Sequence, residues 1–292
     1  MSTAIPHFRS TAGEAAYRSA YERTLALWPA EREALEVKTS FGTTRVNGVG
    51  PHQAPPLIMI HGFGFSSTQW YTSAPTLMSD MRIYAPDVPD QFRLSTLEQP
   101  LQTPDNYARW VGELLVGLQL ERVALAGHSY GGWIAANFAA HQPERVTRLS
   151  LISPAATFVP LTIEFYIRGI LGGMLGKDWT IYGMVKWMTT LREVRGLEIV
   201  EQFKTGMQNM AQVPAGLPKV LDPAEFARLE MPVQLIIGDH EVIYTKRPAT
   251  VIDRARQLIP HLQAALIPNG GHAVTLDQAA ETNQHLQTFL LN

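Results

Sequence analysis

The sequence places nucleophile chemistry in one short segment. Gly127-His128-Ser129-Tyr130-Gly131-Gly132 fits the pattern G-x-S-x-G. A serine held on a sharp strand-to-helix turn needs glycine two residues before and two after it, because a larger side chain would collide inside the turn. Gly127 and Gly131 meet that need, and His128 fills the position between. Such a turn lifts the Ser129 hydroxyl out of a sheet and sets it at a helix N-terminus, where negative charge is stabilised.

A serine of this kind needs a base, and the base needs an acid to orient it. His272, in Asn269-Gly270-Gly271-His272, follows a short apolar run, as Ser129 does. Loops at the carboxyl ends of parallel strands converge on one site, so His272 is the expected base. His7 and His285 lie near the termini, His141 precedes a proline at a helix end, and His52 and His261 sit in proline-bounded connections. The acid is expected in Gly238-Asp239-His240-Glu241, after another apolar run, and spacing does not separate Asp239 from Glu241. Acyl transfer also needs two donors for the developing oxyanion. The backbone amides of Phe63, in His61-Gly62-Phe63-Gly64, and of Tyr130 are placed to supply them, with Gly62 and Gly64 permitting close approach of the backbone. His61 is expected to brace that loop by a hydrogen bond rather than to act chemically.

These segments must be positioned by regular elements. Leu57–Ile60, Arg82–Pro86, Val123–Ala126, Val146–Ile152, Val233–Ile237 and Ala264–Ile267 are short apolar runs bounded by turn residues, which suits strands buried on both faces. Helical spacing fills Asn106–Leu118 behind Thr103-Pro104-Asp105, then Trp133–Ala140, Ala249–Ile259 and Leu276–Leu291. The alternation predicts βαβ units around a mainly parallel sheet, with Glu36–Ser40 and Thr43–Val49 as a hairpin at one edge. From 158 to 228 the apolar spacing is helical and no strand is evident. An insertion of that length folds as a unit, so residues 1–157 and 229–292 are expected to form an α/β core and 158–228 a helical cap, or lid, over the strand ends. Phe158, Trp179, Tyr182 and Trp187 are its aromatic candidates for lining a substrate pocket.

Composition narrows the chemistry from the other side. The 292 residues include no cysteine, which removes thiol nucleophiles, disulfides, thiolate zinc sites and iron–sulfur clusters. With 24 basic and 26 acidic side chains there is no electrostatic case for a nucleic-acid or anionic-membrane partner. No stretch approaches the roughly 20 apolar residues of a membrane span. Met1–Ser10 lacks the basic and apolar regions of a secretion signal, which makes the cytoplasm the expected compartment. No metal-ligand spacing and no complete phosphate- or dinucleotide-binding loop occurs.

Taken together, His61-Gly62-Phe63-Gly64, Gly127-His128-Ser129-Tyr130-Gly131-Gly132, Gly238-Asp239-His240-Glu241 and Gly270-Gly271-His272 resemble, in that order, the α/β-hydrolase family. Within it the chain resembles small carboxylesterase-like serine hydrolases with a helical cap. The resemblance implies a mostly parallel central sheet flanked by helices and no cofactor. It also implies cleavage of carboxylic esters of small, mostly uncharged substrates through an acyl-enzyme on Ser129. The family's acid falls three residues after the strand-end glycine, which carries that role to Glu241 and leaves Asp239 as the alternative. Asp87-Val88-Pro89-Asp90-Gln91-Phe92 departs from the family by lacking glycines. Carbon–carbon bond hydrolysis and perhydrolysis use the same residue set and are the enzymatic alternatives. A ligand receptor that kept the fold is the non-enzymatic one.

Overall fold

The computed structural model describes residue 5, residues 7–92, 94–211, 213 and 215–292, with backbone alone at 172–174. The segment Met1–Ser10, read above for targeting, lies partly outside these residues. Eight strands form one sheet: β1 (Glu33–Thr39), β2 (Gly42–Val49), β3 (Pro56–Ile60), β4 (Arg82–Pro86), β5 (Val123–His128), β6 (Val146–Ile152), β7 (Val233–Gly238) and β8 (Gln263–Ile267). Their order is β1-β2-β4-β3-β5-β6-β7-β8. β1 and β2 pair antiparallel, as do β2 and β4, and every later pairing is parallel. The β1–β2 hairpin therefore occupies one edge, as its sequence predicts. β3 to β7 are buried along nearly their whole length, in keeping with their continuous apolar runs. β8 differs from the expectation of two-sided burial: it is the other edge, and Leu266 faces solvent.

The helices are α1 (Thr11–Leu25), α2 (Ala74–Leu77), α3 (Pro104–Gly117), α4 (Tyr130–His141), α5 (Ile163–Leu175), α6 (Asp178–Met188), α7 (Glu198–Asn209), α8 (Pro223–Phe226), α9 (Pro248–Leu258), α10 (Val274–Asp277) and α11 (Ala279–Leu291). α3 starts where Thr103 and Asn106 close a reciprocal capping box, with Pro104 in the first turn. The single C-terminal helix expected over Leu276–Leu291 is instead two, α10 and α11, parted at Gln278. α1 was not evident in the sequence. It is capped by Ser10 and lies so close to α7 that a Cβ on Gly13 would meet the Asn209 side chain at about 2.8 Å.

The sheet separates two large apolar clusters. One holds Tyr107, Trp110, Trp133, Phe138 and Phe158, the other Tyr17, Tyr21, Trp28, Trp70 and Phe289. Between β6 and β7 the described residues of 158–228 contain α5 to α8 and no sheet strand. α6 and α7 share a third, smaller cluster built on Ile181, Val185, Ile199, Val200 and Phe203. Among the described residues no helix is long and apolar enough to cross a membrane.

Candidate active site

Register explains why the chemistry-bearing segments meet. Ile60 at the end of β3 pairs with Gly127, His128 with Ile152, Ile152 with Ile236, and Gly238 with Ile267. The segments that follow β3, β5, β7 and β8 thus emerge side by side at the carboxyl edge of the sheet. Ser129 stands at the β5–α4 turn with φ 52° and ψ −115°, a left-handed conformation that costs a residue with a Cβ on the order of 1–3 kcal/mol. The turn is possible because Gly127 and Gly131 have no Cβ. One on Gly127 would come within 2.2 Å of Gly131 O, and one on Gly131 within 2.2 Å of Ile60 O.

Ser129 Oγ lies 2.8 Å from His272 Nε2, and His272 Nδ1 lies 2.8 Å from Glu241 Oε2. All three residues are buried. Burial by itself pushes the Glu241 carboxyl up, but the His272 ring and the Ile243 N–H, which donates to Oε1 at 3.0 Å, outweigh it and hold the group below its ordinary value. A carboxylate there fixes the proton on His272 Nδ1 and leaves Nε2 free to accept from the serine. Asp239 is elsewhere: its carboxylate is part-exposed and accepts from His240 Nδ1 at 2.6 Å. The turn that sorts the two acids packs tightly, for a Cβ on Gly238 would meet Gly270 O at 2.1 Å. That close approach seats the His272 loop directly over the acid's turn.

The Phe63 loop crosses the other side of Ser129. Gly62 packs against the serine, 3.4 Å from its Cβ atom by the same measure. His61 is buried and neutral, its pKa lowered by burial. Its Nδ1 donates to Gly62 O and its Nε2 accepts the Val88 N–H, each at 2.9 Å, so it braces the loop as its sequence context suggests. Neither the Phe63 N–H nor the Tyr130 N–H donates to an acceptor among the described residues.

Two apolar spaces meet at Ser129. A small enclosed chamber of about 50 Å³ is lined by Phe65, Met184, Val185, Met188, Ile199, Val200, Phe203 and Leu276. A wider cleft of about 410 Å³ runs under α5 past Tyr130, Leu161, Tyr166, Ile170 and Leu217. Phe63, Phe165 and Met184 border both, and neither is lined by a lysine or arginine among the described residues.

The four aromatic pocket candidates lie elsewhere. Phe158 is core, its ring stacked on Phe226 at 5.1 Å. Trp179 is 68% exposed. Tyr182 donates to Glu201 at 2.5 Å on an outer face, and Trp187 is half-buried beneath Arg168. Helical phase is the reason: Met184, Val185 and Met188 carry the inward face of α6, and Trp179 and Tyr182 project from others.

Several residues around the site carried no signal in the sequence. Gln69 and Gln91 bond the amides flanking Phe63. Asp277 accepts the Gly271 N–H at 2.8 Å and the Thr190 N–H at 3.2 Å, tying the His272 loop to the end of α6. None was singled out by the sequence, because glutamine and aspartate are common loop residues and their partners, six to 27 residues away for Gly271, Gly62 and Gly64, are met only once the loops have folded.

Comparison with known proteins agrees with this architecture. Residues 57–285 match the model of the alpha/beta hydrolase family, and the chain belongs to that family. It is 33% identical over 279 residues to the uncharacterized carboxylesterase nap of Bacillus subtilis (strain 168), covering 94% of this chain and 91% of that one. It is 34% identical over 281 residues to carboxylesterase YbfK of the same organism, covering 94% and 93%. The crystal structure of naproxen esterase (carboxylesterase NP) from Bacillus subtilis superposes with a TM-score of 0.90 at 33% identity, covering 97% of this chain and 99% of that one.

Proposed function

We propose that this chain is a carboxylic ester hydrolase working through an acyl-enzyme on Ser129. The observation that carries the reading is the buried chain from Ser129 Oγ to His272 to Glu241, each link 2.8 Å, opening into apolar space. In this reading His272 Nε2 takes the serine proton as Oγ bonds to the ester carbonyl carbon. Glu241 stabilises the resulting imidazolium, and the Phe63 and Tyr130 amides bind the oxyanion. Collapse of the tetrahedral adduct breaks the bond to the leaving alkoxide, which receives the proton from His272. Water then enters, gives its proton to His272 and releases the acid by the same path in reverse.

Segment 158–228 acts as the cap in this reading, since its helices roof both spaces beside Ser129. The apolar linings suit an uncharged ester. A dienoic acid, the substrate type of the carbon–carbon bond hydrolases, would bring a carboxylate with no lysine or arginine among the lining residues to receive it. The curated carboxylesterase relatives add support, and a cytoplasmic setting is part of the same proposal. The test is a nitrophenyl ester series from acetate to palmitate, run beside Ser129→Ala. The wild type should turn over the series with a length preference, and Ser129→Ala should lose at least about a thousandfold in kcat while folding normally. Retained turnover in the variant would overturn the proposal.

A further inference from the structure

Two buried glutamines grip the backbone on either side of Phe63. The Gly62 N–H donates to Gln69 Oε1 at 2.9 Å, and the Gly64 N–H donates to Gln91 Oε1 at 3.0 Å. Between them the Phe63 N–H has no acceptor among the described residues. Gly64 has φ +73°, so the loop is held in a conformation that its own residues do not enforce.

Each amide's orientation is dictated by chemistry. A backbone N–H can only donate, so the carbonyl oxygen of each glutamine must face the glycine and its NH₂ must face away. Gln69 Nε2 then donates to His128 Nδ1 at 2.9 Å. His128 must therefore carry its proton on Nε2, and it donates to the His272 carbonyl oxygen at 2.9 Å. Burial, and then the neighbouring His272, lowers the His128 pKa to about 3, so the ring is neutral and adds no positive charge beside His272. Gln91 Nε2 donates to Asp90 Oδ1 at 3.0 Å, and Asp90 Oδ2 accepts from Tyr107. The Tyr107 hydroxyl in turn accepts from Tyr130, the residue that follows Ser129.

From this geometry we infer that Gln69 and Gln91 are positioning residues for the oxyanion donor. By occupying the amides of Gly62 and Gly64 they present the Phe63 N–H alone to the reacting carbonyl oxygen. Gln69 also ties that loop, through His128, to the backbone of the base. The inference rests on the ester-hydrolase reading, but its failure is separable from that reading's. Turnover surviving Ser129→Ala overturns the reading, whereas normal turnover in the glutamine variants of an otherwise Ser129-dependent enzyme overturns only the clamp.

The experiment measures kcat, KM and inhibition by an alkyl trifluoromethyl ketone, which adds Ser129 Oγ and forms an oxyanion, in Gln69→Leu and Gln91→Leu. Each variant should lose about 10- to 100-fold in kcat, with KM changed less than about twofold. Removal of an oxyanion donor outright costs about 10²–10³. The affinity for the trifluoromethyl ketone should fall by the same factor as kcat/KM. A folded variant with undiminished kcat, or a kcat loss without loss of ketone affinity, would overturn the inference. Gln69→Met and Gln91→Met keep the unbranched shape but offer no amide acceptor to the Gly62 and Gly64 N–H groups. They carry the test should a leucine variant not fold: the same losses of kcat and ketone affinity are expected, and undiminished kcat and ketone affinity in the folded methionine variants overturn the inference.

Discussion

Ser129 brings together three properties that no other serine among the described residues combines: a left-handed backbone at a strand-to-helix turn, a buried hydroxyl and an imidazole 2.8 Å away. The two glycines that allow the turn are visible in the sequence because their requirement is local. The acid is a different case. Asp239 and Glu241 are two residues apart and equally charged, so spacing leaves both open and only the family pattern prefers Glu241. The structure places Glu241 inward against His272 and Asp239 outward against His240. Glu241→Gln should therefore lower kcat on the order of 10³-fold, because an amide there no longer fixes the tautomer or stabilises the imidazolium. Asp239→Asn should leave kcat within about twofold. Steady-state kinetics on one nitrophenyl ester decide between them, and the reverse pattern would move the acid to Asp239. His128 was legible as a turn residue, but its hydrogen bonds to Gln69 and His272 were not, since they join loops far apart in the chain.

Among the elements, α6 shows what periodicity can and cannot give. Its apolar residues were plain, but which face meets the cavity depends on how the helix packs against α5 and α7. Aromatic size pointed to Trp179, Tyr182 and Trp187, whereas packing turned Met184, Val185 and Met188 inward. Met184 borders both spaces beside Ser129. Met184→Ala should join them, shifting the preferred acyl length upward in the nitrophenyl series. It should cost about 2–5 kcal/mol of stability, the usual range for truncating a buried methionine. Trp179→Ala, at an exposed position, should leave the length profile unaltered. A profile that moves with Trp179 and not with Met184 would reverse this assignment. α1 is not evident in the sequence because its charged face hides a stripe formed by Tyr17, Ala20, Tyr21 and Leu25, whose partners, Ser67, Trp70 and Phe92 among them, lie far along the chain.

For the molecule as a whole, burial of neutral histidines ties stability to pH. His128 titrates near 3 when folded against an ordinary 6.5, and burial lowers His61 as well. Below about pH 6.5 the unfolded chain takes up protons that the folded chain refuses. The stabilisation is thus complete above that pH and is lost as pH falls toward the folded values. Each histidine contributes a slope of up to about 1.4 kcal/mol per pH unit in that window. Urea unfolding between pH 7.5 and 5 should show stability declining with acidification. His128→Gln should remove one proton's share of the slope, and an unchanged slope would refute the assignment.

By itself the sequence determined the alternating architecture, the sheet-edge hairpin, the strained serine turn and the loop bearing His272. Each depends on residues near one another in the chain: apolar runs, glycines with no room for a Cβ, and a capping threonine. Only the tertiary structure decided which acid faces His272, which side of α6 lines the cavity, and that Gln69, Gln91 and Asp277 hold the loops. Those outcomes depend on hydrogen bonds and packing between segments separated by tens of residues: 31 from Glu241 to His272, 59 from Gln69 to His128 and 87 from Thr190 to Asp277. Local sequence restricts backbone geometry, but a side chain's partner across the sheet is set by register and helix docking, which no local pattern encodes.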